Sequence, residues 1–360
     1  MSERLDELRA RIDAVDERLL ELFNERARLA QAVGEAKRAQ GEGGDGFYRP
    51  DREAQILRRV QERNPGPLSG ETVARLFREL MSACLALEQP LEVAFLGPEG
   101  TFTQAAAIKH FGHAVRTVPV GAIDEVFREV EAGAAHYGVV PVENSTEGVV
   151  THTLDRFMAS PLKICGEVVL RIHHQLLSRA PDLGAVRRVY AHQQALAQCR
   201  EWLTAHLTGV ERVSVASNAE AARLAAEDPA AAAIASEAAA EIYGLDILAA
   251  NIEDEPDNTT RFLVIGTRDA GPTGADKTAL MLSTQNRPGA LYRLLAPLDR
   301  LGVSMTRIES RPSRRAPWDY VFFIDIEGHR EDPPVAEALR ELEAEAAMVR
   351  VLGSFPKAVL

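Results

Sequence analysis

The sequence predicts a multidomain protein in which an all-α unit is followed by an α/β unit and then by an α+β unit. Three patterns carry that expectation: an apolar heptad over residues 3–38, short apolar strands alternating with helices beyond Pro90, and a βαββαβ order near the end. The length of 360 residues agrees, because one core seldom grows beyond about 250–300 residues. We place the units at 1–90, 91–270 and 277–360, with GPTGAD (271–276) as the linker before the third.

In the first unit Leu5, Leu8, Ile12, Val15, Leu19, Leu22, Leu29, Val33 and Ala36 alternate in steps of three and four, and Arg26 interrupts the seam. That pattern predicts one helix on the order of 50 Å long. The glycines of 41–46 end it, DREAQILRRVQER (51–63) forms a second helix, and Val73, Leu76, Phe77, Leu80, Cys84 and Leu87 stripe a third over about 71–88. Helices of these lengths cannot bury the seam alone, so dimerisation is expected.

In the second unit LEVAFLG, YGVVPVE, RVYAHQQ and SVAS read as strands. TFTQAAAIKHF, a segment from about 147, ALAQCREWL and NAEAARLAAE read as helices, which predicts largely parallel sheets. Ala-rich 229–240 reads as a buried strand entering a helix. In the third unit TALMLST, VSMTRIESR, DYVFFIDIEG and MVRVLGSF are strands and GALYRLLAPLDRLG and PVAEALRELEAEA are helices, the order of a ferredoxin-like sandwich.

Composition narrows the function classes. A net charge of −12 disfavours a nucleic-acid surface, and no apolar run approaches the ~20 residues that span a membrane. Residues 1–90 hold 15 Lys and Arg against 17 Asp and Glu, so an Arg-rich, nearly neutral segment precedes an acidic body. The charged start MSERLDELRARID lacks a signal peptide's apolar segment, and Cys84, Cys165 and Cys199 form no CxxC pair. A cytoplasmic protein without a structural metal is expected.

Polar clusters mark the candidate sites. Gly97–Thr103, Glu143–Glu147, His192–Gln194 and Ser217-Asn218 follow strands at expected helix starts, where open α/β sheets bind ligands; singly, each also suits an N-cap. Asn258-Thr259-Thr260-Arg261-Phe262 places hydrogen-bonding groups and a cation at the mouth of a core strand, either as loop punctuation or as part of that site. In the first unit Arg26 must reach an anion or snorkel from the seam. Lys37, about three turns on, shares its face, so the two hold a small anion or pair with neighbouring acids.

LRARIDAVDERLLELFNERARLAQAVGEAK followed by FYRPDREAQIL resembles the all-helical chorismate mutase domain. GPEGTFTQAA, PVENSTEG and NTTRF resemble prephenate dehydratase, and Gly289-Ala290-Leu291 with Glu309-Ser310-Arg311-Pro312 resembles an ACT regulatory domain. The order is similar to that of the bifunctional P-protein family of phenylalanine biosynthesis and covers essentially the whole chain. The resemblance implies a dimer with interlocked helices and a two-lobed, periplasmic-binding-protein-like central domain. It further implies cofactor-free conversion of chorismate to prephenate and then to phenylpyruvate, with phenylalanine as inhibitor.

Carried over by position, the resemblance gives Arg26 and Arg52, with Arg9 of the partner subunit, to the substrate carboxylates. Lys37 donates to the breaking ether oxygen, Glu53 accepts from the ring hydroxyl, and Cys84 and Glu88 complete the cleft. In the dehydratase, Thr260 donates to the departing hydroxyl, Arg261 orients the substrate, and Glu143, Asn144, Gln194, Thr101, Thr103 and Ser217 line the wall. Gly289–Leu291 and Glu309–Pro312 bind the effector. The sequence departs from the familiar pattern at Arg49, where an acid is usual and which we expect to point elsewhere. It also departs at Cys84 for Ser, Glu88 for Gln, and His192-Gln193-Gln194 for HPQ. A monofunctional prephenate or arogenate dehydratase with a decayed mutase, and a non-catalytic amino-acid sensor, are the alternatives.

Overall fold

The computed structural model describes residues 2–39, 48–284, 287–313 and 320–360, so the glycine-rich stop expected at 41–46 lies outside the described residues. The first unit is three helices: α1 (Ser2–Ala39), α2 (Pro50–Arg63) and α3 (Gly70–Glu88). Pro50 opens α2, where a missing N–H costs nothing, and the Ser69 side chain caps α3 by accepting from the Thr72 N–H. Leu57, Ala74 and Met81 make a small core between α2 and α3. Along α1, Leu5, Leu8, Ile12, Val15, Leu19, Leu22, Leu29 and Val33 remain 42–61% exposed.

The second unit has two sheets. The chain lays down β1 (Glu92–Leu96), α4 (Phe102–Phe111), β2 (Arg116–Val120), α5 (Ile123–Glu131), β3 (Tyr137–Asn144), β4 (Gly148–Val149), α6 (Thr151–Ala159) and β5 (Lys163–Arg171). It then crosses to β6 (Gln175–Ser178), β7 (Arg188–His192), α7 (Gln193–Gln198), α8 (Arg200–His206), β8 (Glu211–Val215), α9 (Asn218–Glu227), β9 (Ala231–Ala235), α10 (Glu237–Tyr243) and β10 (Asp246–Ala249). Finally β11 (Thr259–Gly266) returns to the first sheet. The strand orders are β2-β1-β3-β11-β5, with β4 beside β3, and β10-β6-β9-β7-β8.

Pairing is parallel only along β2-β1-β3 and β8-β7-β9, fewer strands than the alternation predicts. The physical reason is the crossing: β5 leaves the first lobe and β11 re-enters it, so they pair antiparallel. The helix expected from about 147 begins at Thr151, because Glu143–Glu147 finish β3 and turn into β4. The Ala-rich stretch is the fully buried β9 entering α10, as expected.

The third unit is β12 (Asp276–Ser283), α11 (Ala290–Arg300), β13 (Met305–Pro312), β14 (Tyr320–Glu327), α12 (Pro333–Glu345) and β15 (Met348–Pro356). Its antiparallel sheet has the order β13-β14-β12-β15. Strands of period two present alternate residues to two faces. Leu280, Leu282 and Ile324 meet both helices, whereas Met281, Phe323, Leu352 and Phe355 join Phe127, Ile164 and Ile265 of the second unit in one core. Contact is close at Gly353, where a Cβ would lie 2.0 Å from the Ile164 carbonyl oxygen. No described helix is long and apolar enough to cross a membrane.

Candidate active sites

Between the two lobes of the second unit lies a cleft of about 480 Å³. Antiparallel pairing sets Thr260 opposite Asn144 and Arg261 opposite Glu143. Asn144 Nδ2 donates to Thr260 Oγ1 and to Asn258 Oδ1, each at 2.8 Å. Asn144 Oδ1 accepts from the N–H groups of Thr146 and Glu147 at 3.0 Å, which pins the side chain. Asn258 in turn donates to Gln198 Oε1 at 3.0 Å, and His174 Nε2 lies 2.8 Å from the same oxygen, so the network reaches the second lobe. Burial pushes the His174 imidazole below its ordinary range, against Gln198 and Glu253, and keeps it neutral near pH 7.

Thr101, Thr103, Asn144, Gln194, Ser217 and Thr260 all line this cleft, together with Gln198, the partner of Asn258, and His174, which bonds Gln198. Thr101, His192 and Ser217 are N-caps of α4, α7 and α9, so three helix starts meet there. No Lys or Arg lines the cleft among the described residues. A carboxylate held here meets hydroxyls, amides and helix N–H groups, with the Glu147 carboxylate also in the lining, and so is bound without the strong stabilisation of a guanidinium.

Arg261 and Glu143 do not belong to that wall. The two-residue period of β3 and β11 turns them to the opposite face, toward the third unit. Arg261 Nε donates to Glu167 Oε2 at 2.9 Å, its Nη1 bonds Asp325 of β14, and Lys277 of β12 also meets Glu167 at 2.9 Å. Glu143 Oε2 accepts from Arg307 Nε at 2.9 Å. Arg311, expected at the effector site, has its guanidinium on Asp155 of α6 at 2.9 and 3.1 Å. Gly289 caps α11 at φ +72°, Ala290 and Leu291 open that helix, and Glu309, Ser310 and Pro312 end the sheet-edge strand β13.

A second cleft, of about 150 Å³, opens in the helical unit. Arg26 and Lys37 of α1, Arg52 and Glu53 of α2, and Cys84 and Glu88 of α3 line it. Arg49 lines it too, contrary to expectation, and also donates from its Nε at 3.1 Å and its Nη2 at 2.7 Å to Asp51 at the start of α2. Four cations therefore face two carboxylates, which suits a dianion. Burial raises the Glu88 carboxyl above its ordinary range while Lys37, Arg38 and Arg26 oppose that rise. Arg9 is absent from the cleft: about 25 Å along α1 from Arg26, it pairs with Asp6 at 3.5 Å.

Comparison with known proteins gives the family of the chain. Family profiles match in order: Chorismate mutase type II over residues 8–89, Prephenate dehydratase over 93–270 and the ACT domain over 278–344. The bifunctional chorismate mutase/prephenate dehydratase of Stutzerimonas stutzeri is 56% identical over 100% of this chain and 99% of its own. The Arthrobacter aurescens prephenate dehydratase, solved in complex with L-Phe, superposes with a TM-score of 0.69 at 37% identity, covering 74% of this chain and 90% of its own. GqqA, described as a quorum quenching acylase, superposes at 0.68 with 34% identity, covering 74% and 98%. Near-complete coverage by a relative at that identity, with all three domains in order, establishes that the chain belongs to the bifunctional chorismate mutase/prephenate dehydratase family.

Proposed function

We propose that the helical cleft rearranges chorismate to prephenate and that the interlobe cleft converts prephenate to phenylpyruvate, with phenylalanine as feedback inhibitor. The observation that carries the second step is the Asn144–Thr260 hydrogen bond inside a cleft that no Lys or Arg lines among the described residues. The ring hydroxyl is a poor leaving group, and Thr260 is placed to donate to it. A carboxylate that departs as carbon dioxide must be held without over-stabilisation, and neutral dipoles do that better than the Arg261 guanidinium. The electron pair of the breaking carbon–carboxylate bond enters the ring as the protonated hydroxyl leaves as water, so the step needs no outside oxidant or reductant.

In the mutase step the substrate reacts without covalent help, so catalysis lies in holding a compact conformer and stabilising charge on the ether oxygen. Arg26 and Arg52 take carboxylates, Lys37 and Glu88 face the ether oxygen, Glu53 accepts from the ring hydroxyl, and Cys84 packs beside them. Arg9 enters from a second copy: the exposed seam of α1 supports a dimer with crossed long helices, which carries Arg9 into the partner's cleft. We assign residues 1–90, 91–270 and 277–360 to mutase, periplasmic-binding-protein-like dehydratase and ferredoxin-like ACT domains. Phenylalanine binds between paired ACT domains through Gly289–Leu291 and backbone groups of Glu309–Pro312. Three buried free thiols support a reducing cytoplasm. Purified protein given chorismate, with chorismate loss and phenylpyruvate formation followed separately, tests the reading; chorismate loss without phenylpyruvate, or neither, refutes it.

A further inference from the structure

Buried side chains join the mutase cleft to the dehydratase domain, and one of them is a cation. Arg78 of α3 is 8% exposed. Its Nε lies 3.2 Å from Glu53 Oε1, and its Nη1 donates to the Lys109 carbonyl at 2.6 Å. Lys109 is in the last turn of α4, where carbonyls lack intrahelical partners and the helix dipole favours a cation. The adjoining contacts hold the same two elements together: Glu79 accepts from the His113 N–H at 3.1 Å, and Ser82 Oγ accepts from the Ala114 N–H at 3.3 Å. Arg78 therefore touches a mutase-cleft carboxylate with one nitrogen and the end of a dehydratase helix with another.

We propose that Arg78 is a positioning residue for the mutase reaction: anchored on the end of α4, it holds the Glu53 carboxylate ionised and directed at the substrate's ring hydroxyl. The inference rests on the reading of the helical cleft as the mutase site. Its physical basis is the burial of Glu53, whose side chain is 13% exposed and which also walls a small cavity at the domain junction. Burial drives that carboxyl toward its neutral form, and the Arg78 charge opposes it. The 3.2 Å contact is an ion pair without hydrogen-bond alignment, so Glu53 Oε1 accepts no hydrogen bond among the described residues. A guanidinium serves both partners at once, which a lysine ammonium cannot do in the same geometry.

Other charged groups surround the pair. From the cleft side come Arg26 and Lys37 of α1, Arg49 and Arg52 at the start of α2, and Glu88 of α3. From the junction side come Tyr48, Lys109, His110, Glu167 and Lys357. Burial lowers His110 to about 3 and raises the Tyr48 hydroxyl, so both are neutral across the working range, and they share a 3.1 Å hydrogen bond. Lys109 Nζ donates to the Val169 carbonyl, and Glu167 is already paired with Arg261 and Lys277. Arg78 alone of these makes an ion pair with Glu53 among the described residues.

The test is mutase kcat/KM against pH in the full-length chain for wild type, Arg78→Met, Arg78→Lys, Glu53→Gln and the Arg78→Met/Glu53→Gln double variant. Dehydratase rate on prephenate in each preparation reports folding. Arg78→Met is expected to lower mutase kcat/KM about tenfold or more at neutral pH and to move its acid limb upward by about one pH unit, the lower end of a nearby opposite charge's effect. Arg78→Lys should restore the limb but not the full rate, and on the Glu53→Gln background Arg78→Met should move no limb. An unmoved acid limb in Arg78→Met, or an equal movement without Glu53, overturns the proposal. Should Arg78→Met fail to fold, Arg78→Lys decides: a wild-type rate in that variant overturns the positioning role. Wild type that consumes no chorismate sinks the mutase reading itself.

Discussion

Replacing Arg261 with Met separates two accounts of that arginine. The substitution keeps the apolar stem and removes the charge between Glu167, 3% exposed, and Asp325, 8% exposed. Breaking a buried pair by removing one partner costs about 3–5 kcal/mol. Lys277 still meets Glu167 at 2.9 Å, so the lower end, about 3 kcal/mol, applies here. At roughly 2–4 °C per kcal/mol for a unit of this size, the unfolding transition of the dehydratase–ACT body should fall by about 6–12 °C. Calorimetric melting and steady-state rates on prephenate, taken well below the lowered transition, make the measurement. KM for prephenate should stay within about threefold of wild type. An unchanged melting temperature with kcat/KM down about a hundredfold would mean that Arg261 reaches the substrate, and would refute the reasoning from strand alternation.

Thr260→Ala should cut phenylpyruvate formation more than about tenfold while chorismate consumption is nearly intact, since the two clefts lie in different domains; a smaller loss, under ~1.4 kcal/mol of barrier, removes Thr260 as the donor. Glu88 has a raised carboxyl, first by burial, and donates to the ether oxygen only when protonated. Mutase activity should therefore fall as pH rises through that ionisation, and Glu88→Gln should flatten the fall and raise the alkaline rate; superimposable pH profiles would show that residue 88 does not limit the reaction. Gly289→Val forces a β-branched residue to φ +72° at the start of α11 and should weaken phenylalanine inhibition at least about tenfold with the uninhibited dehydratase rate little changed. Titration of that rate with phenylalanine checks it, and unaltered inhibition places the effector elsewhere.

Much of the architecture was legible because its signals are local. Heptad spacing marked α1, capping residues marked the starts of α4 and α9, and Thr260 stood out as a hydroxyl at a strand mouth. What the sequence hid depends on distant partners. The acids that hold Arg261 are 64 and 94 residues away, and nothing near NTTRF announces them. Reading the whole motif as one wall overlooked the pleat, which sends Thr260 and Phe262 into the cleft and Arg261 away from it. Arg49 was misplaced for a similar reason: only the folded start of α2 brings it to the lining of the cleft. Gln198 sits in a run that reads as ordinary helix and His174 in a stretch without a motif, so their part in the Asn258 network had no sequence signal.

The same alternation gives the central strands a double role. On one face of β3 and β11 stand Asn144 and Thr260, joined side by side on one wall of the cleft; on the other stand their chain neighbours Glu143 and Arg261, held by Arg307 and Asp325 of the ACT sheet. One peptide unit separates each cleft group from its clasp. The edge strand β13 that supplies Arg307 and Arg311 continues into Ser310 and Pro312 of the proposed effector signature. Movement of that strand therefore either breaks the partly exposed pairs to Glu143 and Asp155 or carries β3 and α6 with it. The shared core of Met281, Phe323 and Phe355 with Ile164 and Ile265 makes removal of the ACT domain the wrong probe of this arrangement, because it would expose the dehydratase interior to water. Point changes at the clasp and at Gly289 leave that core in place, so a loss of phenylalanine sensitivity measured well below each variant's melting transition reads as regulation rather than unfolding.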